Sequence, residues 1–273
     1  MTLPFVRDLF RELERHPGFQ SVVSAILGNR PEILQISGLS LTAQAVYTAL
    51  LFQATGRAVL LLVDSNKQAE AVAETTDTIY RLLFSDRRTG PLLLPAHDIL
   101  PYDSLSPHPD ISEKRAIALW RLAGREAAAA QRAPIVIAPI GAALVKMESP
   151  EFYRGLACQL TRGEELSLDL VVEELERIGY QRHEPVEMVG QYAVRGGILD
   201  VYSPESARPV RVEFFGDQVE SLRQFDIDSQ RSVMAVEEAL LLPLVEHPVS
   251  TELTGVAAGE TGADEAPAGM LSP

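Results

Sequence analysis

Residues Ala58–Val63 read AVLLLV, six apolar side chains in a row with no alternation. A run this short has no polar face to offer water, so it belongs in a sheet covered on both sides. The surrounding residues repeat the pattern. Pro91–Leu94 and Ile135–Ala138 are further short apolar runs, and Glu32–Ser37 (EILQIS) is another strand candidate. Between them lie stretches of helical length: Leu41–Ala54, Lys67–Phe84 and Ser112–Gln131. Buried strands separated by helices predict a parallel sheet with helices on both faces, a three-layer α/β domain over roughly the first 140 residues.

After Gly141 the pattern changes. A helix is expected from Leu166 to Ile178, and β signals follow Gly179. Val186–Met188, Gln191–Val194, Gly197–Tyr202, Val210–Phe214 and Val219–Asp226 are short runs set apart by Gly190, Gly196-Gly197, Pro204, Pro209 and Gly216-Asp217. Short strands with close turns predict an antiparallel sheet, hence a second, α+β domain. From Thr251 the chain carries four acids, no base and mostly Gly, Ala, Pro, Ser and Thr. Such a segment buries too little apolar surface to offset its ordering entropy and is expected to be a disordered tail.

Charge narrows the function classes. The 273 residues hold 24 Lys+Arg against 38 Asp+Glu, a net charge of −14. Nucleic-acid backbones and anionic membranes are bound by clustered cations, so neither is expected as the main partner. Cys158 is the one cysteine, which excludes an intrachain disulfide and any multi-cysteine metal site. The N-terminus carries Asp8 and Glu12 without a signal-peptide core, and the longest apolar stretch, Ile135–Val145, is interrupted by Pro139 and Gly141. A soluble, cytoplasmic protein is expected.

The chemical motifs fail one by one. A phosphate-binding loop would sit where the first strand candidate meets its helix, at Gly38–Ala45. It needs a second glycine, a lysine for the phosphates and a hydroxyl for Mg²⁺. Those positions hold Ala43, Gln44 and Ala45. The dinucleotide pattern fails too, with Ser40 and Ala43 in place of glycines. Asp64, at the end of the next strand, is by itself a weak ribose-binding signal. The five histidines form no His-x-x-x-His pair, and no G-x-S-x-G elbow occurs. Cys158 reads as a packing residue, and the acid pairs Asp226/Asp228 and Glu237/Glu238 read as solvated faces. What remains is Arg182, just after Gly179-Tyr180, and Arg195, at a turn before Gly196-Gly197. Arginines on a compact β domain can pair bidentately with a partner's carboxylates, although Glu184, Glu187 and Asp200 lie near enough to occupy them.

Three long blocks carry a resemblance. LPYDSLSPHPDISEKRAIALWRL (Leu100–Leu122), GYQRHEPVEMVGQYAVRGGILDVYSP (Gly179–Pro204) and RVEFFGDQVESLRQFDIDSQRS (Arg211–Ser232) are similar, in order, to the N-terminal module of the bacterial transcription-repair coupling factors (Mfd). That module imitates the first domains of the excision-repair helicase UvrB. The resemblance implies a degenerate RecA-like domain 1a at residues 1–145 and an inserted, UvrB domain 2-like α+β unit at 146–238. It also implies the start of a domain 1b at 239–250 that completes the first sheet, ahead of the tail at 251–273. The rest of domain 1b, the polymerase-binding domain and the translocase motor would be missing, leaving an unpaired edge and an open apolar face on the first sheet.

The same resemblance explains Gly38, Gln44 and Ala45 as a non-functional remnant of a nucleotide loop, with no cofactor and no catalysis. It names UvrA, the damage-recognition ATPase, as the partner of domain 2. Arg195 and Arg182 become the candidate contacts, with Tyr180, Tyr192, Gly196, Gly197 and Leu199 as neighbours. Two other readings stand beside this one: a nucleotide-binding enzyme fragment with a non-standard phosphate loop, and an autoinhibitory module that binds the translocase and polymerase-binding remainder of a coupling factor.

Overall fold

The computed structural model describes residues 4–28, 33–84, 90–99, 106–124 and 134–248. The tail beyond Thr251 and the end of the Ser112–Gln131 helix lie outside them. Helices α1 (Pro4–Arg15) and α2 (Pro17–Leu27) come first, with Phe10, Phe19 and Val23 packed around Leu50. Then follow α3 (Leu41–Thr55), β1 (Val59–Val63), α4 (Asn66–Leu83), β2 (Leu92–Leu93), α5 (Pro109–Ala123) and β3 (Ile135–Pro139).

The three strands form a parallel sheet in the order β1-β3-β2, with Ile137 of β3 paired to Leu61 on one side and Leu93 on the other. Every residue of β3 is buried, as an unbroken apolar run requires of a central strand. Successive side chains leave opposite faces. Ile135 and Ile137 join Phe52, Val72 and Tyr80 under α3 and α4. Val136 and Ala138 join Leu94, Ala118 and Leu119 on the α5 side. This is the expected three-layer α/β arrangement.

Two expectations fail at its edge. The stretch 33–37 forms no strand, and Ile33 is fully exposed. Strand propensity acts only where a neighbour accepts the ladder hydrogen bonds, and no strand lies beside β1 on that side among the described residues. Leu60 and Leu62 of β1, which point to the same face as Val136 and Ala138, are exposed rather than buried, because the core under α5 does not extend over β1. Among the described residues, β1 is thus an unpaired edge strand that carries exposed apolar side chains.

The second half comprises α6 (Ile140–Ala143), α7 (Pro150–Arg154), β4 (Cys158–Thr161), α8 (Leu168–Arg177), β5 (Gln181–Arg182), β6 (Gln191–Arg195), β7 (Ile198–Val201), β8 (Val210–Phe215), β9 (Gln218–Phe225), β10 (Ser232–Val236) and β11 (Glu238–Leu241). Strands β5 to β10 form one six-stranded sheet in the order β10-β9-β8-β7-β6-β5. It is a meander of antiparallel hairpins, with β5 added in parallel to β6. Helix α8 lays Val171 and Leu175 against one face, over Tyr192, Leu199, Val212 and Leu222. Val186–Met188 is not a strand. It is part of the β5–β6 loop, and Val186 is buried against Ala193 and Phe225 on the opposite face.

The segment expected to return to the first sheet takes another course. β11 pairs antiparallel with β4, and Ala239 and Leu241 join the core under α8. The chain beyond is pinned at each step. The Tyr180 hydroxyl donates to the Leu242 carbonyl at 2.9 Å, Leu242 N–H donates to Ser203 Oγ at 2.9 Å, and Leu244 N–H donates to the Ile178 carbonyl at 2.9 Å. Leu242 then packs on Ile117 and Trp120 of α5.

The segment ends in a buried ion pair. Arg115 Nε and Nη2 donate to the two Glu246 oxygens at 2.5 and 2.9 Å, and Nη1 donates to the Pro95 carbonyl at 2.7 Å. Both side chains are almost completely buried. Burial by itself would raise the Glu246 pKa, but the Arg115 hydrogen bonds and charge outweigh it and hold the carboxyl below its usual value. His97 Nε2 lies 3.6 Å from Glu246, and desolvation, followed by the nearby Arg115 charge, keeps its pKa below the ordinary histidine value. The segment after β11 thus ties the antiparallel domain to the α/β domain.

Candidate interaction surface

The face of the six-stranded sheet opposite α8 is built by parity. Tyr192, Leu199 and Val212 point to the helix, so their neighbours along the strands point away. Two cross-strand rows result. One holds Ala193, Asp200, Arg211 and Arg223; the next, nearer the turns, holds Arg195, Ile198, Glu213 and Ser221. The β5–β6 loop covers part of the first row through Val186.

The ionised groups on this face differ in how firmly they are committed. Arg211 is clamped: Nε and Nη2 donate to the buried Asp200 carboxylate at 2.7 and 2.8 Å, and the guanidinium lies 4.8 Å from the centre of the Phe225 ring. Arg195 is 46% exposed and meets Glu184, itself exposed, at 2.7 Å. Arg223, also exposed, reaches the half-buried Glu213 at 3.7 Å, a carboxylate that also accepts from Ser221 Oγ at 2.7 Å. Exposed pairs such as Arg195–Glu184 contribute about 0–1 kcal/mol and are easily exchanged for a partner's carboxylates.

The turn after Arg195 explains its glycines. Gly196 has φ +60, the left-handed region that glycine occupies without strain. Gly197 is pressed against β8: a Cβ there would stand 2.8 Å from the Phe214 carbonyl oxygen, while Phe214 N–H donates to the Gly197 carbonyl at 2.7 Å. Gly196 and Gly197 thus shape the hairpin that presents Arg195.

The other candidates are placed differently. Tyr180, Tyr192 and Leu199 are buried core residues, so they support the sheet from beneath and offer no contact surface. The Tyr192 hydroxyl donates to Glu176 at 2.5 Å, and desolvation together with that acceptor pushes its pKa up to about 12. Arg182 is exposed and pairs in register with Tyr192. Its side chain therefore leaves the α8 side of the sheet, whereas Arg195 leaves the opposite face. The two arginines do not form one patch, because three steps along a strand reverse the side-chain direction.

The stretch from Gly38 to Ala45 is a turn into α3. Gly38 has φ +80, and Ser40 caps α3 by accepting from Ala43 N–H at 3.3 Å. Gln44 Nε2 turns back to the Leu39 carbonyl, and Ala45 is buried. The helix N-terminus that would face a phosphate is capped by its own serine. Among the described residues no group of His, Cys, Asp and Glu could hold a metal ion, and no helix is long and apolar enough to cross a membrane.

Residues 158–247, from β4 to just past the Glu246 tie, match the UvrB interaction domain family. Most of the chain resembles transcription-repair-coupling factors. It is 30% identical over 234 residues to that of Bacillus subtilis, covering 86% of this chain and 19% of that protein. It is 40% identical over 161 residues to that of Myxococcus xanthus, covering 59% and 13%, and 36% identical over 151 residues to that of Escherichia coli, covering 55% and 13%. The chain thus spans less than a fifth of the length of these relatives. The matched segment begins with β4 and runs past β11.

Parity also shows what the strand runs concealed. Arg211, Arg223 and Phe215 share the open face with Arg195, and the alternation of β8 (for Arg211 and Phe215) and β9 (for Arg223) was the signal that could have found them. The run VRVEFF, continued as outward Arg211, inward Val212, outward Glu213 and inward Phe214, leaves Phe215 facing water.

Proposed function

We propose that this chain is a non-catalytic recruiting module of transcription-coupled nucleotide excision repair, and that it binds UvrA through the antiparallel domain. One observation carries the reading: the segment that matches the UvrB interaction domain is the one whose open sheet face presents Arg195 on a glycine-shaped hairpin. A partner carboxylate can replace Glu184 at little cost, giving a charge-assisted contact. Gly196 and Gly197 hold the hairpin and Leu199 and Tyr192 support it, while Arg182 contributes only if the partner wraps the β5 edge. No nucleotide cofactor enters this reading, since Gln44 and Ala45 supply neither the lysine nor the hydroxyl a phosphate loop needs. In a full-length relative the module would bring the excision machinery to a polymerase-bound translocase.

The test is binding of purified UvrA by the wild-type chain and by Arg195→Glu, with circular dichroism as a folding control. Binding present in the wild type and lost in a folded Arg195→Glu supports the reading. Equal binding by both removes Arg195 and the open face from it.

A further inference from the structure

We infer that Phe215 is the apolar anchor of the surface that carries Arg195, and that the matching partner site is an apolar hollow rimmed by carboxylates. This rests on the UvrA-binding reading above and adds to it a residue and a recognition chemistry.

Val212 and Phe214 turn toward the α8 core, whereas Arg211, Glu213 and Phe215 leave the open face. Because Phe214 is bonded to Gly197, Phe215 stands level with Gly196, one step beyond the row of Arg195, Ile198 and Glu213. The ring is 78% exposed. Among the described residues the other Phe or Trp in the open is Phe152, at 37%.

The hairpin does not explain an aromatic there. Gly216, with φ +60, makes the turn to β9, and a polar residue at 215 would serve the backbone equally well. Nothing crowds the space over Gly196 either: a Cβ built there meets no atom within 4 Å. An exposed aromatic beside an exchangeable arginine is the pairing that dominates binding energy at interfaces, where a central anchor fills a pocket and charged groups ring it.

The charges on the face say what that ring carries. Arg211 is bound to Asp200, while Arg195 and Arg223 are exposed cations on the same face: Arg195 meets the exposed Glu184, which a partner can displace, and Arg223 lies 3.7 Å from the half-buried Glu213. On a chain with net charge −14, two exposed cations sharing a face with one exposed aromatic select acidic groups around an apolar pocket.

Calorimetric titration of purified UvrA into the wild-type chain, Phe215→Ala, Phe215→Leu and Arg195→Glu tests this. The expected result is at least tenfold weaker binding for Phe215→Ala, a smaller loss for Phe215→Leu, and unchanged melting temperatures, since the ring contributes little to the core. If Phe215→Ala binds within twofold of wild type while Arg195→Glu abolishes binding, the anchor is refuted and the recruiting reading survives. If Arg195→Glu also binds like wild type, the reading beneath the anchor fails with it.

Discussion

Removing Glu246 strikes the one buried charge pair that joins the returning segment to α5. In Glu246→Ala the Arg115 guanidinium stays fully buried and keeps only the Pro95 carbonyl at 2.7 Å, having lost two charge-assisted bonds. Leaving one member of such a pair uncompensated costs about 3–5 kcal/mol, and with roughly 2–4 °C lost per kcal/mol for a chain of this size the melting temperature should fall by about 6–20 °C. Fraying of the segment after β11 sets a ceiling on the cost. That fraying must break the Leu244–Ile178 backbone bond and uncover Leu242, so the ceiling is not low.

Urea unfolding followed by far-ultraviolet circular dichroism measures the loss. Limited proteolysis reports whether residues 243–248 come free first. The double variant Arg115→Met/Glu246→Leu removes both charges and should recover most of the stability, because a packed apolar pair avoids the desolvation that the ion pair must offset. A loss below about 1 kcal/mol for Glu246→Ala, or a double variant no more stable than the single, would refute the argument that an isolated buried Arg115 is the source of the cost.

Acidification should act on the same cluster. The Glu246 pKa is depressed in the folded state, so its contribution is full above the unfolded value of 4.5 and is lost as pH falls through the lower folded value; His97, also depressed, adds a loss that begins below 6.5. Urea midpoints should therefore fall from pH 7 to pH 4, and less steeply in Arg115→Met/Glu246→Leu. Gly197→Ala places a methyl 2.8 Å from a backbone oxygen that cannot yield, and should destabilise by about 1–3 kcal/mol in thermal melts. Partial burial pushes the Cys158 thiol up to about 11, so at pH 8 a thiol reagent should label the native protein more slowly than the urea-unfolded chain, and equal rates would refute the shift.

The local elements were largely written in the residues. Uniform apolar runs marked β1 and β3, and glycine-bounded alternation marked β6 to β9, because strand periodicity depends on neighbours two residues away. Helix α3 starts at its Ser40 cap and ends at Gly56, signals carried within a few residues. Arg195, Gly196 and Gly197 could be picked out for the same reason: a charged residue before two glycines is a local pattern.

Pairing partners, and with them the faces, were decided only by the tertiary structure. EILQIS has the composition of a strand, yet its described residues 33–37 make none, because among the described residues no strand lies beside β1 on that side to take their hydrogen bonds. LLLP after Ala239 could join either sheet, and pairs with β4. Arg182 and Arg195 look alike in sequence but leave opposite faces, since their direction depends on which residue of β6 each one opposes. Phe214 and Phe215 are adjacent and chemically identical; one fills the core and the other faces water. Arg115 and Glu246, 131 positions apart, meet as a buried pair that no local pattern announces. A chain specifies its short-range geometry through sterics and periodicity, but burial is a property of whatever else comes to lie on each face.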